Sequence, residues 1–144
     1  MLVIDTNILV YAADWRSEFH ARCQQLIDGC RQGATPWYLT WGICYEFLRV
    51  CTQPAVLSKQ WSIAAAWNFL EIILDCPSAG LLLPTSQHAA ALAETITEVP
   101  HLRGNILHDA HTVVLMREHG IREIYPRDTD FHRFPFIEVI DPLA

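Results

Sequence analysis

The chain has 144 residues, 51% of them apolar, enough for one compact unit spanning 1–144 with its own core and no disulfide framework. Ten Lys and Arg against sixteen Asp and Glu give a formal charge of −6, which argues against capture of nucleic acid by a broad basic surface unless cations offset clustered acids. The longest apolar runs, such as Ile72–Leu74 and Leu81–Leu83, are too short to span a bilayer, and the N-terminus lacks the features of a signal peptide. A soluble, cytoplasmic protein with no membrane role is the expectation.

The five cysteines, Cys23, Cys30, Cys44, Cys51 and Cys76, form no CxxC pair, so they read as small core residues or idle thiols rather than zinc ligands. Lys59 is the only lysine, and the preponderance of Arg weakly favours bidentate phosphate contact.

In chain order, MLVIDTNILV opens with a short apolar strand, Leu2–Ile4, that ends on Asp5. An isolated buried carboxylate is disfavoured unless it is paired or ligates a metal, so Asp5 is either a turn residue or a ligand. Thr6 and Asn7 follow as capping residues or as holders of a metal-bound water, with capping the preferred reading for Asn7. Ser17–Gln32 carries Phe19, Cys23, Leu26, Ile27 and Cys30 at helical spacing, with Gly29 and Gly33 at its end. Trp37–Leu39 reads as a second strand, after which Thr40 caps a helix through WGICYEFLRVCT that Gln53 and Pro54 stop. Ser58 is the expected cap of KQWSIAAAWNFLEIIL, a helix apolar on nearly every face and hence well buried or part of an interface.

Leu81–Leu83 is a third strand candidate, and SQHAAALAETITEV a helix that Thr85 or Ser86 would cap. The loop PHLRGN leads into the helix ILHDAHTVVLMREHG, closed by Gly120, and then come the strands EIY and FIEVI. Short strands alternating with helices imply a parallel sheet covered on both faces, with ligands bound beyond the carboxyl ends of the strands. Asp5 follows the first strand, and Asp128 and Asp130 follow EIY.

Four places set a carboxylate in a mostly apolar or strand-end context: Asp5, Glu46, Asp109 and the pair Asp128/Asp130. Each has a plainer role: Asp5 as a cap, Glu46 paired with Arg49, Asp109 favouring a helix dipole, and DTD as turn composition. Taken as a set, they need a compensating cation. Oxygen donors suit Mg2+ or Mn2+, and since such an ion can polarise a phosphoryl oxygen and acidify a bound water, phosphodiester hydrolysis is the chemistry these residues suit. His108 and His111 flank Asp109 without the spacing of a zinc helix, and read as surface or substrate-side groups. Arg103, Arg127 and Arg133, in loops near these acids, are candidate contacts to a nucleic-acid backbone.

VIDTNIL, YEFLRVCTQP, RGNILHDAH and RDTDFHRFPFIEVIDPL, in that order, resemble PIN-domain ribonucleases of the VapC toxin type over essentially the whole chain. That resemblance implies a three-layer α/β/α sandwich around a mostly parallel sheet, and a Mg2+- or Mn2+-dependent endoribonuclease. It also implies a homodimer neutralised by a cognate antitoxin. The family's first acid falls on Asp5, its helix glutamate on Glu46 and its third acid on Asp109. The fourth falls on Asp128, with Asp130 second, and Pro126 stands where many members carry a hydroxyl. Two other readings are a PIN-like RNA- or protein-binding module that no longer cleaves, and an aspartyl-nucleophile phosphatase, for which Asn7 replaces the second acid. Trp15, Trp37, Trp41, Trp61, Trp67 and Phe69 offer aromatic area for a dimer or antitoxin contact.

Overall fold

The computed structural model describes all of residues 1–144 except Ala55 and Ser58. Its elements run β1 (Leu2–Ile4), α1 (Thr6–Ala13), α2 (His20–Gln32), β2 (Trp37–Leu39), α3 (Trp41–Thr52), α4 (Ile63–Leu74), β3 (Ala79–Leu81), α5 (His88–Glu98), α6 (Ile106–Glu118), β4 (Glu123–Tyr125) and β5 (Glu138–Val139). The sheet order is β3-β2-β1-β4-β5, every described pairing is parallel, and helices complete a three-layer α/β/α sandwich.

β1 is buried along its whole length, as a central parallel strand covered on both faces must be. Trp37, Leu39 and Ile124 from the neighbouring strands join it in the core, with Phe47 of α3 and Leu70 of α4. On α6 the consecutive residues Thr112–Met116 are all buried, so the C-terminal half of that helix runs through the core, while Leu107, His108 and His111 in its first turns are exposed. Gly120 ends it at φ +67°, a backbone that favours glycine, while the Ile121 N–H donates to the Met116 carbonyl at 2.9 Å. The strand order reverses at β1: the chain leaves it first for β2 on one side and later for β4 on the other, which opens a crevice at their carboxyl ends.

Several boundaries differ from the sequence expectation. The second helix begins at His20 rather than Ser17. The cap expected at Ser58 lies outside the described residues; α4 starts at Ile63, and Ser62 accepts the Ala65 N–H at 3.1 Å. The third strand is Ala79–Leu81 instead of Leu81–Leu83, because pairing with β2 sets its register. A Cβ on Gly80 would meet the Tyr38 ring at 3.0 Å, so the less apolar segment is the one that fits there. The N-cap position of α5 is Gln87 rather than Thr85 or Ser86, although the Thr85 hydroxyl accepts the Gln87 N–H at 3.1 Å while donating to Glu118. The last strand shortens to Glu138–Val139, and Thr129–Arg133 forms a 3-10 turn that the sequence reading left as loop.

α4 is less buried than its composition suggests: Ala66, Leu70 and Ile73 face the core, while Ile63, Trp67 and Ile72 are exposed. Among the aromatic residues proposed for contacts, Trp37 is instead a core residue, its Nε1–H donating to Ser78 Oγ at 3.0 Å. Trp61 and Phe69 pack on Phe47, with the Phe47 and Phe69 rings stacked at 5.1 Å. Trp15, Trp41 and Trp67 remain exposed. All five cysteines are free, and Cys23, Cys44 and Cys51 are buried.

Candidate metal centre

At the crevice lies a cleft of about 540 Å³ whose walls carry Asp5, Glu46, Asp109, Asp128 and Asp130. Five carboxylates from four segments meet there because each sits at the same end of the sheet. Asp5 terminates β1, and its N–H donates to the Tyr125 carbonyl at 3.1 Å, which ties it to the end of β4. Glu46 stands in α3, Asp109 in the first turn of α6, and Asp128 and Asp130 in the turn after β4.

The plain alternatives for these acids resolve differently one by one. Asp5 occupies the N-cap position of α1, yet its side chain makes no capping hydrogen bond; only its backbone carbonyl accepts, from the Ile8 N–H at 3.2 Å. At 8% exposure it is a buried acid with no cation paired to it among the described residues. Burial, against the pull of the Thr6 N–H, pushes its carboxyl up to about 6, helped by the charges of Asp128 and Glu46. Asp109, half-buried, is pushed up to about 7 by burial first, then by Asp5, Asp128, Asp130 and Glu46.

Asp128 does act as a cap: its Oδ1 accepts the Asp130 N–H at 2.9 Å. Glu46 does pair with Arg49, through Nε to Oε2 at 3.0 Å and NH2 to Oε1 at 2.5 Å. The Arg49 hydrogen bond holds the Glu46 carboxyl below its usual range in spite of partial burial.

Asp109, Asp128 and Asp130 each offer a carboxylate oxygen, and the three oxygens lie within 4.8 Å of one another. Asp5 and Glu46 stand outside that tight group but line the same cleft. An all-carboxylate donor set whose most buried members are unpaired fits a hard divalent cation such as Mg2+ or Mn2+. Neither His108 nor His111 belongs to a metal-holding group among the described residues; both are exposed groups on the cleft wall.

Thr6 and Asn7 line the cleft from the first turn of α1, so Asn7 is not the cap that the sequence suggested. Arg127 does not reach the cleft wall: it donates to Asp141 at 3.0 Å and lies over the Phe19 ring, which makes it a brace for the C-terminal segment. Arg103 and Arg133 are exposed and also off the wall. Sequence reasoning missed Gly42, Asn105 and Thr112 as lining residues and took Arg49 only as a partner of Glu46. A signal was present: Gly42 and Arg49 lie at i−4 and i+3 from Glu46, and Asn105 and Thr112 at i−4 and i+3 from Asp109, the positions that share a helical face.

The PIN domain family model matches residues 2–137. The ribonuclease VapC37 of Mycobacterium tuberculosis is 33% identical over 144 residues, covering 100% of this chain and 99% of that protein. VapC48 of the same organism is 31% identical over 140 residues, covering 97% and 96%. Among solved structures, that of M. tuberculosis VapC20, a Sarcin-Ricin loop cleaving toxin, superposes with a TM-score of 0.69 at 16% identity over 96% of this chain and 98% of that one. VapBC2 of Rickettsia felis, bound to a DNA fragment from its promoter, gives 0.66 at 15% identity over 96% of each chain. The parallel sheet, the crevice of acids and the match along almost the entire sequence together establish that the chain belongs to the PIN-domain family, among the VapC ribonucleases.

Proposed function

We propose that this chain is a divalent-metal-dependent endoribonuclease, acting on RNA in the cytoplasm as the toxin of a type II toxin-antitoxin pair. The observation that carries the reading is the unpaired state of Asp5 and Asp109 inside a cleft of five carboxylates. Protein groups do not neutralise these acids, and Mg2+ or Mn2+ would. Asp5, Asp109, Asp128 and Asp130 would hold the ion, with Thr6 and Asn7 as polar support. Such an ion supplies charge neutralisation at a phosphodiester and a more acidic water.

Glu46 stands at the cleft wall, where its carboxylate can orient the attacking water once Arg49 releases it. Arg103, close in sequence to Asn105, and Arg133, in the turn after Asp130, are the proposed contacts to the RNA backbone. The activity resides in a single PIN unit over 1–144. The names of the relatives support an RNA substrate, and the structure solved for VapBC2 supports a cognate antitoxin. A homodimer is proposed with them, and exposed Trp41 and Trp67 are suited to either contact.

The test is to map RNA ends produced by the purified protein in Mn2+ and in EDTA, beside Asp5→Ala. The reading expects discrete new ends with wild type in Mn2+ alone, and none with Asp5→Ala of unchanged circular dichroism. Equal cleavage by both proteins, or cleavage that persists in EDTA, would sink it. Tight Mn2+ binding without cleavage of any RNA in a broad panel would instead identify a binding module.

A further inference from the structure

Among the described residues lining the cleft, five are carboxylates and one, Arg49, is an arginine or lysine. Its guanidinium is already spoken for: Nε and NH2 grip both oxygens of Glu46, and NH1 donates to Gln53 Oε1 at 3.0 Å. Nothing in the fold demands this pairing. The side chains of Arg49 and Glu46 are 60% and 45% exposed, and an ion pair so open to water contributes little to stability. Buried Asp5, by contrast, has no cation paired to it. The cleft's one strong cation is thus held cheaply, beside the site, by an acid that lies on the same wall.

We propose that Arg49 has two positions: in the free protein it neutralises Glu46, and on RNA binding it passes to a phosphate of the substrate and leaves Glu46 to the cleft's cation. The inference rests on the ribonuclease reading and goes beyond it, because it assigns Arg49 a role in substrate binding and in the occupancy of Glu46. A guanidinium suits both positions, since its planar fork matches a carboxylate and a phosphate equally well. Exchange is inexpensive because the pair it breaks is a weak one, and Gln53 anchors the far edge of the fork while the other edge turns. Glu46 and Arg49 lie at i and i+3 on α3, so a side-chain rotation suffices and the helix stays as it is.

The exchange predicts effects of opposite sign in Arg49→Gln. Binding of Mn2+ alone, followed by isothermal titration, should tighten roughly 3-fold or more, because a competing positive charge has left the acids. Binding of a single-stranded RNA oligonucleotide, measured in Ca2+ and verified to be intact after the titration, should weaken, and the slope of log K against log salt should fall by about 0.7, one phosphate contact on a single strand. Arg49→Lys, which keeps the charge and loses the fork, should restore the salt slope and only part of the affinity.

Unchanged Mn2+ and RNA affinities in Arg49→Gln would overturn the inference, leaving a surface ion pair. A fall in both would also overturn it, as the mark of a merely structural residue, and so would weaker RNA binding with unchanged Mn2+ affinity, which leaves a contact without exchange. Wild type that binds neither Mn2+ nor RNA would defeat the ribonuclease reading itself, and so is told apart from failure of the inference alone.

Discussion

The two ends of α6 each carry a carboxylate, and the chain treats them in opposite ways. Glu118, at the C-terminal end, has a side chain with 0% exposure, yet its carboxyl is held below its usual range. Burial pushes it up, and the Thr85 N–H and hydroxyl, both at 2.8 Å, and His88 Nδ1 at 2.6 Å more than compensate. Asp109, at the N-terminal end, sits where the helix dipole favours a negative charge, and is nevertheless pushed up to about 7. Burial alone therefore does not separate a structural acid from a functional one; the supply of donors does. The fold satisfies Glu118 completely, which pins the start of α5 to the end of α6. At Asp109 the neighbours that matter are Asp5, Asp128, Asp130 and Glu46, all of the same sign. This same-sign cluster is what the proposed cation would neutralise.

That contrast can be broken from either side. Glu118→Gln keeps the shape but removes the charge that His88 and Thr85 converge on, and should destabilise the fold by about 1–3 kcal/mol in chemical denaturation, with Mn2+ affinity unchanged. Equal stability of this variant and wild type would mean that the clamp is ornamental.

A smaller effect is expected from pH. The carboxyls of Asp5 and Asp109 rise from 3.8 to about 6 and about 7 on folding, so the metal-free folded state binds protons more tightly than the unfolded one. Stability should then fall as pH rises from about 4 to about 7 and level off above, the reverse of a salt-bridged carboxylate. Thermal unfolding in EDTA across that range checks the sign. Saturating Mn2+ should flatten the slope, and a metal-free slope that rises instead would mean that the cluster is not strained.

Much of this was legible in the residues. Leu2–Ile4 and Trp37–Leu39 are apolar runs that a central parallel strand requires, and Thr40 caps α3 as its type and place suggest, accepting the Ile43 N–H at 3.0 Å. The five acids were visible because each stands out against apolar neighbours or at a strand end. What stayed hidden depended on tertiary partners. Thr85 accepts the Gln87 N–H much as a cap would, but its hydroxyl also donates to Glu118, 33 residues away, a tie that no local pattern shows. Arg127 was legible only as a basic residue near the acids; its pairing with Asp141 and its place over the Phe19 ring are tertiary contacts that no local pattern shows. Leu81–Leu83 is the more apolar stretch, but the strand register is set by Gly80 lying against Tyr38. Arg49 was read correctly as the partner of Glu46; that the pair forms part of a cleft wall needed the meeting of α3 with α6.

The most direct test of the cation claim is thermal unfolding at pH 7.5 under increasing Mn2+, for wild type and Asp109→Asn. Wild type should gain stability progressively as the ion binds the folded state alone. Asp109→Asn should start at or above the metal-free wild type, because one repelling charge is gone, and should gain little from the ion. Wild type that does not respond to Mn2+, or a variant that responds as strongly, would contradict the assignment of this cleft as a metal centre.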